Sequence, residues 1–564
     1  MVSVPKIPHL QQHGTTKQLI VDGKPFLMLG GELQNSSMSS AEFMSEIWPK
    51  MAATNVNTLL GCVPWEMIEP EEGKFDFSEL DKVVKGAREH GLHLILLWFG
   101  SWKNGRSTYV PSWIKTNPKR FPRAEIRKAG GVIETADVLS LFHEQNNEAD
   151  VKAFRQLLSH VKEIDEGYNT VLMVQVENEV GLLFDSRDGS ATANEQFENH
   201  VPEDLVKFLA EDYDSLNEDL RGNLKTFVAR SKPQSGTWEE VFGNGPKTDE
   251  LFMAYHYALY VNRVAAAGKE AYPLPLYTNV WQNYAGDDSD NEFPVVVGGG
   301  GMPGDYPSGG AVSDVLDIWL KFAPSLDFIA PDVYLNEYSS SCAKYRHKNN
   351  PLFIPEQRRD EYGVRRIWAA YGTFQALMAS PFGIDTLEPA ENPFKTHYGL
   401  LSLVSQIVLD AQRRPDSSLG FYFDDLPATW KKGGADPAKP YVQIFDSWIV
   451  TISRCFVFGK PGPGSGMVIH LGGARFLLLG WGFQVNAVST DPSTKFNGIL
   501  RMEEKVVADR ETGKLRTLRM LGGDETRSGA HAMMPNKDPD YGGFPIAVTI
   551  PARTGIAEVE FYAF

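Results

Sequence analysis

The stretch Phe77-Ser-Glu-Leu-Asp-Lys-Val-Val-Lys-Gly-Ala-Arg-Glu-His-Gly-Leu-His-Leu-Ile-Leu-Leu-Trp98 decides how the first ~400 residues are read. It predicts a helix from Phe77 to His90 ended by Gly91, then Leu92–Trp98, a run apolar enough for a strand buried on both faces. A helix followed by a doubly buried strand is the repeat unit of a parallel sheet covered by helices. Val56–Leu60 is the strand before this helix, so one complete βα unit and the start of the next are visible here.

Working outward, Gln18-Leu-Ile-Val-Asp-Gly-Lys24 reads as a strand with an Asp-Gly turn that returns along Pro25–Gly30. Ser39-Ser-Ala-Glu42 is a capping box that opens a helix toward Ala53. Downstream, Val151, Phe154, Leu157, Leu158, Val161 and Ile164 have helical spacing, and Thr170–Val176 is β-branched and apolar. Residues 183–250 break the rhythm as an acidic insertion with two helices, Glu203–Leu216 and Leu220–Ala229, expected over one barrel mouth. Leu276–Val280, Phe328–Tyr334, Leu352–Ile354 and Phe382–Leu387 follow; with Leu27–Gly30, Val56–Leu60, Leu92–Trp98 and Val171–Val176 they make about eight strands.

The expected fold is therefore α/β: a (β/α)8 TIM barrel over residues 1–415, followed by an all-β sandwich over 416–564. The second part is read from short runs at Phe421–Phe423, Tyr441–Phe445, Met467–Leu471, Arg475–Leu479, Gly498–Ala508, Leu515–Met520, Ile546–Ile550 and Ala557–Phe561. Pro461-Gly-Pro-Gly-Ser-Gly466 is a loop within it.

The chain has 564 residues, 55 Lys+Arg against 72 Asp+Glu, a formal net charge of -17 and 42% hydrophobic residues. A soluble globular protein is expected, and its negative charge disfavours nucleic acid and membrane surfaces as partners. Cys62, Cys342 and Cys455 are widely spaced with no CxxC pairing, so they read as buried thiols rather than a zinc site or a disulfide framework. The N-terminus lacks the apolar core of a signal peptide and the apolar runs are too short to span a bilayer, so a cytoplasmic location is expected. The surface leaves room for a symmetric homodimer.

Catalytic groups of such barrels sit at the C-terminal ends of the strands, so acids directly after apolar runs are the informative ones. Val174-Gln-Val-Glu177-Asn178-Glu179 ends the fourth strand with two carboxylates and an amide, and Leu352-Phe-Ile-Pro-Glu356 ends the seventh with another. Two carboxyl groups across one pocket, one protonating the leaving oxygen and one attacking the anomeric carbon, are what glycoside hydrolysis needs. Glu337 and Glu388 are rivals of Glu356; Glu177 is expected on the other face of the strand from its neighbour Asn178, as a support that hydrogen-bonds inside the barrel. Val295–Gly301 is glycine-rich but lacks the Gly-Lys-Ser/Thr of a phosphate loop, and His143-Glu144 lacks the second histidine of a zinc-protease helix. No metal and no organic cofactor are implied.

Gln175-Val-Glu-Asn-Glu-Val-Gly181 closely resembles the Gln-Val-Glu-Asn-Glu-Tyr-Gly motif of glycoside hydrolase family 35, the β-galactosidases. Thr58-Leu-Leu-Gly-Cys-Val-Pro-Trp-Glu-Met-Ile-Glu-Pro-Glu-Glu-Gly-Lys-Phe-Asp-Phe77 resembles that family's Val-Pro-Trp-Asn-x-His-Glu-Pro-x-x-Gly-x-x-Asp-Phe segment. The resemblance covers about residues 15–400. It implies a sugar-binding amide at Asn178, an acid/base at Glu179 and, by strand position, a nucleophile at Glu356. Glu66, Ile68 and Val180 stand where the family has Asn, His and Tyr, which places the chain on a divergent branch. The family's Ala-Glu-Trp after the third strand is replaced by Leu97-Trp-Phe-Gly-Ser-Trp-Lys-Asn104, so Trp102 or Asn104 is expected to take over hydroxyl recognition.

Further candidate substrate contacts are Glu32, Glu66, Asn279, Trp281 and Tyr334, the last as a hydrogen-bond donor to the nucleophile. The expected activity is a retaining, exo-acting β-D-galactosidase that removes terminal galactose from oligosaccharides. Another retaining β-glycosidase, acting on galactofuranosides, arabinosides or glucosides, and a non-catalytic carbohydrate-binding barrel remain open.

Overall fold

The computed structural model describes residues 7–284, 300–414, 416–431, 434–455, 462–536 and 552–564. The strand expected at Ile546–Ile550, residues 295–299 of the glycine run and Pro461 lie outside them.

Eight parallel strands build the first part of the chain: β1 (Gly30–Glu32), β2 (Thr58–Pro64), β3 (His93–Lys103), β4 (Val171–Asn178), β5 (Leu276–Trp281), β6 (Phe328–Asp332), β7 (Ile354–Gln357) and β8 (Ala379–Pro381). Six of them pair in the order β6-β5-β4-β3-β2-β1, and β7 pairs with β8. Parallel bridges from Val333 to Gln357 and from Glu32 to Phe382 close the ring into a (β/α)8 barrel. Helices α1 (Ala41–Ala52), α2 (Ser78–Glu89), α3 (Glu144–Asp165), α4 (Pro246–Ala271), α5 (Leu316–Phe322), α6 (Tyr338–Tyr345), α7 (Glu361–Gly372) and α8 (Phe394–Leu403) follow the strands in turn.

Alternation along the strands divides the core. Leu60, Cys62, Ile95, Leu97 and Phe99 pack inside the barrel, while Leu59, Val63, Leu94, Leu96 and Trp98 pack under the helices. The hairpin of Thr16–Val21 and Lys24–Phe26 turns across Asp22-Gly23 and adds Leu19 and Val21 to the interior cluster. Asp22 accepts a 2.6 Å hydrogen bond from Asn169 just before β4, so the hairpin stoppers the N-terminal end and leaves the C-terminal end open. Gly91 ends α2 in the left-handed region (φ +67), where the Leu92 N–H reaches Ala87 O at 3.0 Å and launches β3.

Several boundaries differ from the sequence reading. Ser40, not Ser39, caps α1, through its side chain and the Phe43 N–H. The apolar run Leu27–Leu29 precedes β1 because the Asn57 side chain occupies Leu27 O and Leu29 N, so the ladder starts only at Gly30. The eighth strand is Ala379–Pro381, and a 3-10 turn at Ile384–Thr386 takes up part of the run expected as strand. A hairpin of Arg123–Lys128 and Val132–Leu139 sits between β3 and α3.

Between β4 and α4 the chain forms five short helices: Ala191–Glu198, Glu203–Glu211, Glu218–Asn223, Lys225–Ala229 and Trp238–Phe242. They pack on the barrel flank, with the Trp238 ring 5.2 Å from Phe252 of α4 and Phe208 5.8 Å from Phe322 of α5. Of this segment, Leu183, Phe184 and Asp185 line a cavity at the barrel mouth.

The C-terminal part is all antiparallel. Strands β9 (Ser418–Phe423), β10 (Tyr441–Phe445), β11 (Trp448–Arg454), β12 (Gly464–Gly472), β13 (Arg475–Trp481), β14 (Phe483–Ser489), β15 (Asn497–Asp509), β16 (Lys514–Leu521), β17 (Ala532–Met534) and β18 (Ile556–Ala563) form two sheets. Their orders are β9-β12-β13-β18-β15-β16 and β10-β11-β14-β17. Phe421, Val450, Ile452, Phe476, Phe483 and Val559 fill the space between them, as in a β-sandwich. Buried Arg365 and Arg366 of α7 pair with Asp424 just past β9, at 3.2 and 2.7 Å. The sandwich thereby braces the helix that follows β7. Among the described residues, no helix is long and apolar enough to cross a membrane.

Candidate active site

At the end of β4 both Glu177 (φ +63) and Glu179 (φ +46) are left-handed. Such conformations cost a non-glycine residue on the order of 1–3 kcal/mol each and persist where the surroundings enforce them. Here they re-aim the two carboxylates. Glu177 turns into the strand–helix layer rather than the barrel interior, accepts the Trp102 N–H at 2.8 Å, and is held well above the usual carboxylate range by burial and by Asp150 of α3. Glu179 turns into a cavity of about 770 Å³, whose wall also carries Lys103, Asn104, Trp281, Asp332, Tyr334 and Glu356.

Asn279 of β5 ties the acids together. Its Oδ1 accepts the Glu179 N–H at 2.9 Å, and its Nδ2 donates to Asp332 Oδ2 at 2.8 Å and Glu356 Oε1 at 3.4 Å. The Tyr334 hydroxyl donates to Glu356 Oε2 at 2.7 Å, so donors address both oxygens of that carboxylate, as suits a group acting as an anion. One oxygen each from Glu179, Asp332 and Glu356 lies within 4.8 Å of the others. That spacing could hold a cation, but the Lys103 ammonium already supplies a positive charge there.

Burial and mutual repulsion raise three acids of this cluster. Burial, then the Glu356 charge, pushes the Glu179 carboxyl up to about 7. Burial and the same charge raise Asp332 and Glu32 well above the carboxylate range. Burial alone would lower Lys103, but Glu356, Glu179, Glu32 and Asp332 together outweigh it, and the ammonium stays charged. A carboxyl raised to about 7 beside a second carboxyl group places a proton donor where acid catalysis could use it.

The sequence candidates divide. Glu179, Glu356, Tyr334, Asn104 and Trp281 line the cavity, and Asn279 links them from behind. Asn178 and Glu32 are buried and do not line the cavity; both amide atoms of Asn178 and both carboxylate oxygens of Glu32 lack a hydrogen-bond partner. Trp102 does not reach the cavity: it is 0% exposed and packs edge-on against Tyr257 and Tyr260 of α4, at 5.2 and 4.5 Å. Glu66 is taken up by Lys115 at 2.7 Å and also stays out of the wall. Of the rivals to Glu356, Glu337 caps α6 by accepting from the Ser339 and Ser340 N–H groups, and Glu388 pairs with Lys50 at 2.6 Å on the surface.

Sequence reasoning missed Lys103 and Asp332. Strand β3 does not stop at Trp98: Trp98 pairs with Val176 and Lys103 with Asn178, so four residues bulge against one. Gly100 was the available signal, because a glycine inside a strand marks a bulge or a close approach, and a Cβ there would stand 2.6 Å from Glu177 Oε1. Asp332 is the acid at the end of β6, visible by the same strand-end rule that picked out Glu179.

Residues 35–227 match the glycoside hydrolase family 42 model, described as beta-galactosidase, and residues 394–533 match a domain of unknown function. The β-galactosidase of Xanthomonas manihotis is 30% identical over 176 residues, covering 30% of this chain and 26% of that protein. Beta-galactosidase-1-like protein 3 of Homo sapiens is 30% identical over 172 residues, 28% of this chain and 23% of that one. The chain thus spans about a quarter of the length of these curated relatives. The crystal structure of the β-galactosidase from Bacillus circulans sp. alkalophilus aligns with a TM-score of 0.45 at 15% identity, covering 69% of this chain and 58% of that one. Families 35 and 42 are not separated by these matches; residues 35–227 are similar to the β-galactosidase-type glycoside hydrolases.

Proposed function

We propose that the chain is a retaining, exo-acting β-D-galactosidase with Glu179 as acid/base and Glu356 as nucleophile. The observation that carries this reading is the approach of Glu179 and Glu356 oxygens to within 4.8 Å. Retaining enzymes hold their carboxyl groups about 5–5.5 Å apart, whereas inverting ones need about 6.5–9.5 Å to admit a water. The names of the relatives support galactose as the sugar removed.

In the first step protonated Glu179 gives its proton to the glycosidic oxygen while a Glu356 oxygen attacks the anomeric carbon, forming an ester and releasing the aglycone. Esterification removes the Glu356 charge, one of the two causes that raise Glu179. The Glu179 carboxyl then falls toward its ordinary value and can take a proton from the incoming water, which cleaves the ester. Tyr334 and Asn279 hold Glu356 in line throughout, and Lys103 offsets the charge of the acid cluster.

A panel of nitrophenyl β-glycosides tests the sugar. The galactopyranoside is expected to exceed the galactofuranoside, arabinoside and glucoside in kcat/KM by about tenfold or more, the scale on which a pocket built around hydroxyls discriminates. A higher value for another member reassigns the glycone. Saturable sugar binding with no hydrolysis of any member points to a non-catalytic barrel.

A further inference from the structure

Beyond the catalytic cavity a second one of about 1050 Å³ shares Asn35, Lys103, Asn104 and Trp281 with it, so the two form one continuous hollow at the barrel mouth. Its far wall carries Phe184, which is 60% exposed. A large apolar ring left in water gives up on the order of 1.5–3 kcal/mol that burial would supply. Phe184 is also left-handed, φ +72, a conformation uncommon for a bulky residue. The segment is fixed in this pose. The Phe184 N–H donates to Gly304 O at 2.7 Å, Leu182 and Ser308 exchange backbone hydrogen bonds at 3.0 and 2.8 Å, and Arg127 holds Asp185 at 2.6 Å. Arg106 and Lys128 approach the ring at 5.3 and 5.8 Å, and among the described residues no carboxylate lies within ion-pair distance of Arg106.

A strained, clamped and exposed aromatic ring facing a sugar-binding cavity has the properties of a stacking surface for the apolar face of a pyranose. Phe184 lies five residues past Glu179, at most about 18 Å along an extended chain, which puts it within a few sugar units of the scissile bond. We propose that Phe184 is the stacking wall of an aglycone subsite, with Arg106 as hydroxyl donor, and that the substrate class is a galactosyl-terminated oligosaccharide whose sugar units continue beyond the scissile bond. This rests on the galactosidase reading above.

The test compares β-galactosyl fluoride, which has no sugar aglycone, with galactotetraoses of β-1,3, β-1,4 and β-1,6 linkage, in the wild-type chain and in Phe184→Gly. Glycine removes the ring and relieves the left-handed backbone, so the thermal midpoint should hold or rise. On the best tetraose, kcat/KM should fall by about 10–100-fold, while the fluoride changes less than about twofold. Phe184→Trp should keep tetraose activity. An unchanged tetraose value in Phe184→Gly, or an equal fall on both substrates, overturns the subsite. A wild-type chain inactive on the fluoride and on every tetraose overturns the galactosidase reading itself.

Discussion

Glu356→Gln is expected to lower kcat on any accepted β-galactoside by about 10⁴–10⁶-fold, the range seen when a covalent nucleophile is lost. Glutamine keeps the shape of the side chain and can still meet the Tyr334 hydroxyl and the Asn279 amide, which lie 2.7 and 3.4 Å from the two carboxylate oxygens. What it lacks is the negative charge and the nucleophilic oxygen, so the glycosyl ester cannot form. A factor of 10⁴ corresponds to about 5.4 kcal/mol of lost transition-state stabilisation, well beyond what a misplaced hydrogen bond costs. Circular dichroism and the thermal midpoint should match the parent chain. Ordinary turnover by this variant would mean that another carboxylate attacks, and Asp332, sharing the same 4.8 Å cluster, would be the first to examine.

Glu179→Ala should show a different signature. Loss of a general acid costs about 10²–10⁴-fold, and only where the leaving group needs a proton. Natural oligosaccharides, with poor leaving groups, should lose nearly all turnover, whereas dinitrophenyl galactoside should still glycosylate Glu356. The ester then accumulates, because no base activates water, and azide, which needs no base, should restore turnover and give galactosyl azide of retained configuration. The pH profile adds a second readout. Glu179 must be protonated for the first step and its carboxyl is pushed up to about 7, so kcat/KM should fall as pH rises through about 7. That limb should disappear in Glu179→Ala. Equal loss on all substrates with the limb intact would remove Glu179 from the acid role.

Much of this architecture is written in local pattern. Apolar runs ended by acids marked β4 and β7, and Gly91 marked the handover from α2 to β3, because each depends on residues close in the chain. The misplacements arise where distant side chains decide. Asn57 delays β1 by occupying backbone groups of Leu27 and Leu29. The bulge in β3 carries Lys103 into the cavity and buries Trp102 under α4, and it is held by Glu177 and by Asp150 from α3, which accepts from Trp98 Nε1 and Ser101 Oγ at 2.9 and 2.6 Å. A reading that ended the strand at Trp98 could not find the lysine, and it made Trp102 a candidate substrate contact, whereas the ring packs against Tyr257 and Tyr260.

Time-resolved proton NMR of galactoside cleavage tests double displacement at this pair of carboxylates most directly, since the anomer released first reports the number of inversions at the reacting carbon. Attack by Glu356 followed by water predicts β-galactose first, with the α form growing only by mutarotation. Release of α-galactose first would show a single displacement by water and contradict Glu356 as nucleophile.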